Sequence, residues 1–335
     1  MSLRRAARLL MLASGLAGAA FAASASVSSG GLHSRQIGPN TWYVEGAAGS
    51  ATTANRGFNS NAGFVVTTDG VVVFDALGTP ELGAELVAEI RTLTRAPIRR
   101  VILSHYHADH AYGLAALRAA GAEVWAHPGA EVYLDSELAR TRLAQRKDTL
   151  AQWIAPDFQL VEPDHWVGGD FAFTLGGVSF DLRHAGPAHT PEDLSMLVLP
   201  DGVLFTGDLV FAGRIPFLGD ADSGLWLTAL DRLDDPRARY VVPGHGAASA
   251  DAHGALRLTR DYLKDLRVQM RQAVSDLMPF DEAYARADWN AWTGLAAFAE
   301  GHRANAYSVY LEMERESLAQ PPPQSTPQSP PQPPS

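Results

Sequence analysis

The chain has no cysteine in its 335 residues. That excludes disulfides and removes every thiolate from the possible metal donors and nucleophiles. A small exported domain would need such staples, but a chain of this length can bury enough surface without them. Basic residues are the minority charge, 27 Lys and Arg against 37 Asp and Glu, for a formal net charge of −10. That balance, with no long basic run, argues against a nucleic-acid partner. Long apolar runs are missing too: Leu9 to Phe21 is too short to span a bilayer. The rest of the composition, 46% hydrophobic and 19% charged, is that of a globular protein with a full core.

The two ends read differently from the middle. Arg4, Arg5 and Arg8 precede the apolar run, and Ala20-Phe21-Ala22 and Ala23-Ser24-Ala25 both fit a small-residue cleavage site. Residues 1–25 therefore read as a signal peptide, with no stable membrane span after its removal and a periplasmic or secreted destination. The Arg4-Arg5 pair leaves the Sec and twin-arginine routes both open. Residues 319–335 are rich in Pro and Gln and predict an extended, disordered tail.

Between them, strands alternate with helices. Gly63 to Thr67 and Val71 to Asp75 form a predicted hairpin around Asp69-Gly70. Leu82, Leu86, Ile90 and Leu93 follow at helical spacing, then a strand over Arg99 to Ser104 and a short helix over His110 to Ala120. Glu123 to Ala126 and Val178 to Arg183 also read as strands. A second hairpin, Met196 to Leu199 and Val203 to Thr206 around Asp201-Gly202, repeats the plan of the first. Each hairpin delivers a carboxylate at a strand end, Asp75 and Asp208. This suggests a pseudo-symmetric α/β sandwich with strands buried between helical layers. Residues 129–156 read as helical, with Arg140, Arg142, Arg146 and Lys147 on a solvated face. Residues 253–318 read as a helical extension of a main domain over 32–252. Leu263, Leu266, Met270, Val274 and Leu277 can line one apolar stripe there, with Tyr307, Tyr310 and Leu311 available to pack.

The chemistry concentrates in the run His105-Tyr106-His107-Ala108-Asp109-His110, directly after the strand Val101-Ile102-Leu103-Ser104. Three imidazoles and a carboxylate within six residues suit a metal, zinc best, with iron or manganese possible. Three further candidates sit at predicted strand ends or in the loops that follow: His189 in G-P-A-H-T-P, Asp208 in F-T-G-D and His245 in V-V-P-G-H-G. His33, His127, His165, His184, His253 and His302 lack this pattern and read as structural or surface residues.

The series H-x-H-x-D-H, then His, Asp and His, resembles the metallo-β-lactamase fold superfamily over roughly residues 40–250. The resemblance implies a four-layer αββα sandwich with the helical region appended at its C-terminus. It implies His105, His107 and His189 on one metal, Asp109, His110 and His245 on a second, and Asp208 bridging both. Asp75 matches a residue that braces the metal loop without binding metal. The implied cofactor is two Zn2+ per chain, sharing a hydroxide whose pKa falls toward ~7 and whose proton Asp109 can hold.

Substrate is less legible. Asp208 stands where the first subclass of true metallo-β-lactamases has cysteine, and resembles the glyoxalase II, lactonase and phosphodiesterase branches instead. The expected activity is hydrolysis of an ester, thioester, lactone or related bond in a small molecule. A β-lactamase without the cysteine ligand, a mononuclear iron persulfide dioxygenase-like enzyme and a non-catalytic metal-binding partner of a quinoprotein system are the alternatives. Gly46 to Asn61 could form a flap over the metal edge. Asn61, and Arg214 in the loop Val210 to Asp222, are the candidate substrate contacts. The segments N-S-N-A-G-F and G-R-I-P-F-L-G-D-A-D are similar to a periplasmic branch associated with quinoprotein oxidation systems.

Overall fold

The structure, a computed structural model, describes residues 31–319. The expected signal peptide, and the tail beyond Ala319, lie outside the described residues.

Two sheets form the centre. The first runs in chain order: β1 (Arg35–Gln36), β2 (Thr41–Val44), β3 (Ala62–Thr67), β4 (Gly70–Phe74), β5 (Ile98–Ile102), β6 (Glu123–Ala126) and β7 (His165–Trp166). The second holds β8 (Phe171–Leu175), β9 (Val178–His184), β10 (Leu194–Leu199), β11 (Val203–Phe205) and β12 (Tyr240–Val242), in the order β12-β11-β10-β9-β8. Alternation along each strand builds the layers. On β4, Val72 and Phe74 face the second sheet and pack with Phe180, Met196, Val198 and Phe205. Val71 and Val73 point the other way, against Leu82, Leu86 and Ile90 of α1 (Pro80–Leu93). Because both faces are covered, these strands read as unbroken apolar runs.

The short helices α2 (Ala108–Ala111) and α3 (Leu114–Ala119) follow β5, and α4 (Ala130–Leu134) and α5 (Glu137–Thr149) follow β6. The outer face of the second sheet is covered by α6 (Ser223–Leu233), α8 (Arg257–Ser275) and α10 (Phe298–Ala319), with the small helices α7 (Ala252–Ala255) and α9 (Phe280–Arg286) between them. The four-layer αββα order is as expected. The C-terminal helices share one apolar core with the second sheet, since Leu197, Leu204 and Val241 meet Trp226, Leu263, Met270 and Val309. No helix among the described residues is long and apolar enough to cross a membrane.

Three local expectations need correction. The first hairpin turns on Thr68-Asp69, because Thr67 pairs with Gly70. Leu277 is no part of the α8 stripe: the helix ends at Ser275, and Leu277, at φ 53°, is 89% exposed. Tyr307 is also exposed, and α10 packs through Ala306, Val309 and Met313 instead.

Candidate metal centre

All seven proposed donors meet at one edge of the sandwich, where β4, β5, β11 and β12 end. Their ligand atoms fall into two groups, His105, His107, His189 and Asp208 in one and Asp109, His110 and His245 in the other, each within 4.8 Å of its group members. Asp208 also touches the second group. Its Oδ2 is 3.4 Å from His189 Nε2, while its Oδ1 is 3.0 Å from His110 Nε2 and 3.2 Å from His245 Nε2. The carboxylate thus straddles the two groups, the geometry expected of a bridge.

Local backbone makes this approach possible. Asp208 lies in a 3-10 turn, Gly207–Leu209, right after β11. Gly207 has φ 51°, a left-handed conformation that favours glycine. A Cβ on Gly244, before His245, would collide with Asp208 Oδ1. Asp75, at φ 63° just past β4, is a residue type that tolerates this conformation.

Each of the five histidines uses one ring nitrogen on a protein partner and turns the other inward. His105 Nδ1 is 2.9 Å from Ser104 Oγ, which donates to Asp75 Oδ2. His110 Nδ1 is 2.8 Å from Asp75 Oδ2. His189 Nδ1 reaches the Phe217 carbonyl at 3.0 Å, and His245 Nδ1 reaches the Asn59 carbonyl. His107 does the reverse: Nε2 is 3.1 Å from Asp220 Oδ2, so Nδ1 faces inward. Such partners set the tautomer and orient a ligating ring. Aromatic packing holds the rings as well, with Phe211 stacked on His245 at 5.1 Å and Trp226 edge-on to His189 at 5.3 Å.

What the inward atoms face is the test of fit. His105 Nε2, His110 Nε2 and Asp208 Oδ1 are buried and lack a hydrogen-bond partner. Although His110 Nε2 and Asp208 Oδ1 are only 3.0 Å apart, they do not align as donor and acceptor. His107 Nδ1 and His189 Nε2 are 3.0 Å apart, with the other nitrogen of each ring turned to an acceptor. Buried lone pairs converging in this way are costly unless a cation lies between them. Burial, followed by the neighbouring His110, His107 and His189, holds His105 well below the usual histidine range. His189 is pushed down to about 3, first by burial. Burial raises the Asp208 carboxyl, but His245 and His110 outweigh it and hold it well below the usual carboxylate range. Neutral His105 and His189 beside an ionised Asp208 are the protonation states that metal binding requires. His110, lowered by burial but raised more by Asp208 and Asp75, is held well above the usual histidine range and would give up a proton to a metal.

Asp75 accepts from the Ser104 backbone at 2.8 Å as well as from Ser104 Oγ and His110. Asp109 lines the cavity, and Asn59 Nδ2 donates to its Oδ2 at 3.0 Å. Arg214 lines the cavity. Asn61 does not: it is 3% exposed, and its amide is consumed by Gly46 N, Pro243 O and Gly246 O. It ties the Gly46–Asn61 loop to the His245 turn and leaves no atom for a substrate. Asn59, two residues earlier, reaches the site in its place.

Asp220, Arg142, Arg146 and Phe217 escaped the sequence reading as site residues. Arg142 Nη1 contacts both Asp220 Oδ2 and His107 Nε2, so it is no solvated residue of a helix face. Arg146, one turn on, lines the cavity beside it. The expected solvated face applies to Arg140, which pairs with Glu137 on the same helix. Of the remaining histidines, His184 stacks on His127 at 3.6 Å, away from the donors.

The family model of the Metallo-beta-lactamase superfamily matches residues 55–245. The chain belongs to that superfamily. It is 26% identical over 195 residues to the metallo-beta-lactamase type 2 of Bacteroides fragilis, covering 54% of this chain and 70% of that protein. The metallo-beta-lactamase type 2 of Elizabethkingia meningoseptica is 24% identical over 193 residues, 56% of this chain and 69% of that one. A linear primary-alkylsulfatase of a Pseudomonas species is 22% identical over 245 residues, 60% of this chain but 45% of that longer protein. Among solved structures, a metallo-beta-lactamase from Pontibacter korlensis matches with a TM-score of 0.54 at 24% identity, covering 70% of this chain and 99% of that one. At that identity the likeness shows the fold.

Proposed function

We propose that the protein is an exported dinuclear zinc hydrolase of a small ester, thioester, lactone or related substrate. The observation that carries this reading is the set of five histidines, each braced at one nitrogen with the other turned inward, around a shared carboxylate. His105, His107 and His189 would hold one ion and Asp109, His110 and His245 the other, with Asp208 common to both. Nitrogen and carboxylate donors without thiolate suit zinc. When bound, such a pair lowers the pKa of water to near neutrality and polarises the oxygen of the bond to be cleaved.

The chain's own residues do the rest. Asn59 holds Asp109 by Oδ2, which leaves Oδ1 to take a proton. Phe211 and Phe217 line the cavity and limit water there, and Arg214 offers a cation at its wall. Elemental analysis should find zinc at two ions per chain, and a panel of esters, thioesters and lactones should include a substrate whose hydrolysis a chelator abolishes. One iron per chain, with oxygen uptake on a persulfide, would replace this reading with a dioxygenase.

A β-lactamase is the second reading, supported by the curated relatives of that name. It requires turnover of nitrocefin that a chelator abolishes. The periplasmic setting beside a quinoprotein system rests on residues 1–25 and on the two segments Asn59 to Phe64 and Gly213 to Asp222. The mature protein recovered from periplasm should begin at Ala23 or Ser26.

A further inference from the structure

Over the donors lies a cavity of about 230 Å3, with Arg142, Arg146 and Arg214 in its lining. Three guanidinium groups in so small a space, in a chain of net charge −10, call for a reason. Arg142 has one, since Asp220 neutralises it. The other two make no salt bridge among the described residues, although Arg146 acts through space on Asp109, and Asp208 and Asp109 on Arg214. Arg214 is 8% exposed. Its hydrogen bonds go to the carbonyls of Gly49 and Ile215, and Nη1 lies 3.2 Å from His245 Nδ1. Its Nη2 makes no hydrogen bond among the described residues. Arg146 is half-buried on α5, and its guanidinium makes no hydrogen bond among the described residues either. Its neighbours on the same helix are engaged, Arg140 with Glu137 and Lys147 with the Pro156 carbonyl.

A buried or half-buried cation is ordinarily paired, because an uncompensated charge away from water is costly. Two guanidinium groups that line one cavity without a salt bridge offer forked donors that match an oxyanion. Phe211 and Phe217 supply an apolar surface in the same cavity, and Phe217 is 42% exposed.

The loop that carries Arg214 and Phe217 is held from behind by the C-terminal region. Asn305 of α10 donates to the Pro216 carbonyl at 2.7 Å and accepts from Leu218 N at 3.0 Å. Ile215 N donates to the Ala296 carbonyl at 3.1 Å. The Arg214 side of the cavity is therefore held in place.

We propose that Arg146, together with Arg214, forms an anion subsite, so that the ligand is a small molecule with a carboxylate- or sulfate-like group on an apolar body. The cavity is smaller than the roughly 300–1,000 Å3 of drug-sized sites, so that body is short. The word substrate for this ligand rests on the hydrolase reading; the subsite itself does not.

The test is calorimetric titration of the full-length protein, zinc-loaded and chelator-treated, with hexane-1-sulfonate and with hexan-1-ol. A sulfonate is a weak metal ligand, so the chelator-treated sample reports on the arginines. The sulfonate should bind and the alcohol should not. Arg146→Gln should weaken sulfonate binding by roughly 10- to 100-fold, the worth of a charge-assisted hydrogen bond. Arg146→Lys should restore it only in part, since an ammonium lacks the fork. Arg140→Gln, on the same helix but paired elsewhere, should change nothing. Failure of the sulfonate to bind, equal binding of the alcohol, or an Arg146→Gln protein within about twofold of the parent would overturn the proposal. Arg146-dependent binding by a zinc-loaded but hydrolytically inert protein would keep the subsite and remove the hydrolase reading. Ester hydrolysis without Arg146-dependent binding would do the reverse.

Discussion

Replacing Asp220 by alanine probes how the donor cluster is held. Asp220 Oδ2 lies 3.1 Å from His107 Nε2 and also accepts from Arg142 Nη1. Burial raises its carboxyl, but His107 and Arg142 outweigh that and hold it well below the usual carboxylate range. Alanine removes the acceptor that keeps the proton on His107 Nε2, so Nδ1 is no longer assured a bare lone pair. It also leaves the half-buried Arg142 guanidinium against the ring, where it repels a cation. Loss of such an outer partner costs about 10- to 100-fold in metal affinity. That corresponds to about 1.4–2.8 kcal/mol. The loss should be confined to the group containing His105, His107 and His189. The other group has its own braces, Asp75 for His110 and the Asn59 carbonyl for His245. Competition with a chromophoric zinc chelator, resolved into two dissociation constants, reads this directly. One constant should rise by the stated factor, and the other should move by less than about twofold. Asp220→Asn should fall between, since an amide oxygen still accepts but carries no charge. Two unchanged constants, or equal loss at both, would refute the reasoning.

Asp208→Ala should cost metal content and reduce kcat/KM on the order of 100-fold or more, whereas His184→Ala should leave both near the parent; like behaviour of the two would show the donor assignment to be wrong. Asn61→Ala removes three buried hydrogen bonds and should lower unfolding stability by about 1–3 kcal/mol in a denaturant titration, and a change too small to resolve would contradict the strap role. Asp235 is held at about 2 by its hydrogen bond to Arg237. Its folded value lies below its unfolded one, so its contribution is full above the ordinary 3.8 and is lost as pH falls through about 2. Asp235→Asn should therefore flatten the stability curve between those limits, and an unchanged acid limb would count against the pairing.

Much of the site was legible because it is local. His105 to His110 follow one buried strand, so their donors are close in space whatever the rest of the chain does. The flanking signals at Asp208 and His245 were strand ends, and strand ends in a covered α/β sandwich fall at its edges. Asp75 was legible through the repeat of the two hairpins. Asn61 misled for a definable reason: a polar residue in a Gly-rich loop looks free until its partners, Pro243 and Gly246, arrive from 182 and 185 residues away. Asp220 was hidden in the same manner, inside a G-D-A-D turn that gives no hint of a histidine 113 residues earlier. Arg142 and Arg146 look like any charged helix face, and only the docking of α5 beside the donors separates them from Arg140.

By itself the sequence determined the layer order, because apolar runs covered on both faces require helices on either side. It also determined the donor types, because a chain without cysteine can offer only imidazole and carboxylate at those strand ends. The tertiary structure decided which nitrogen of each ring faces inward, which carboxylate lies between the two groups and which arginines are left without a salt bridge. A ring's tautomer and a cation's pairing are set by whatever atom lies opposite, and here those atoms come from elements far away along the chain.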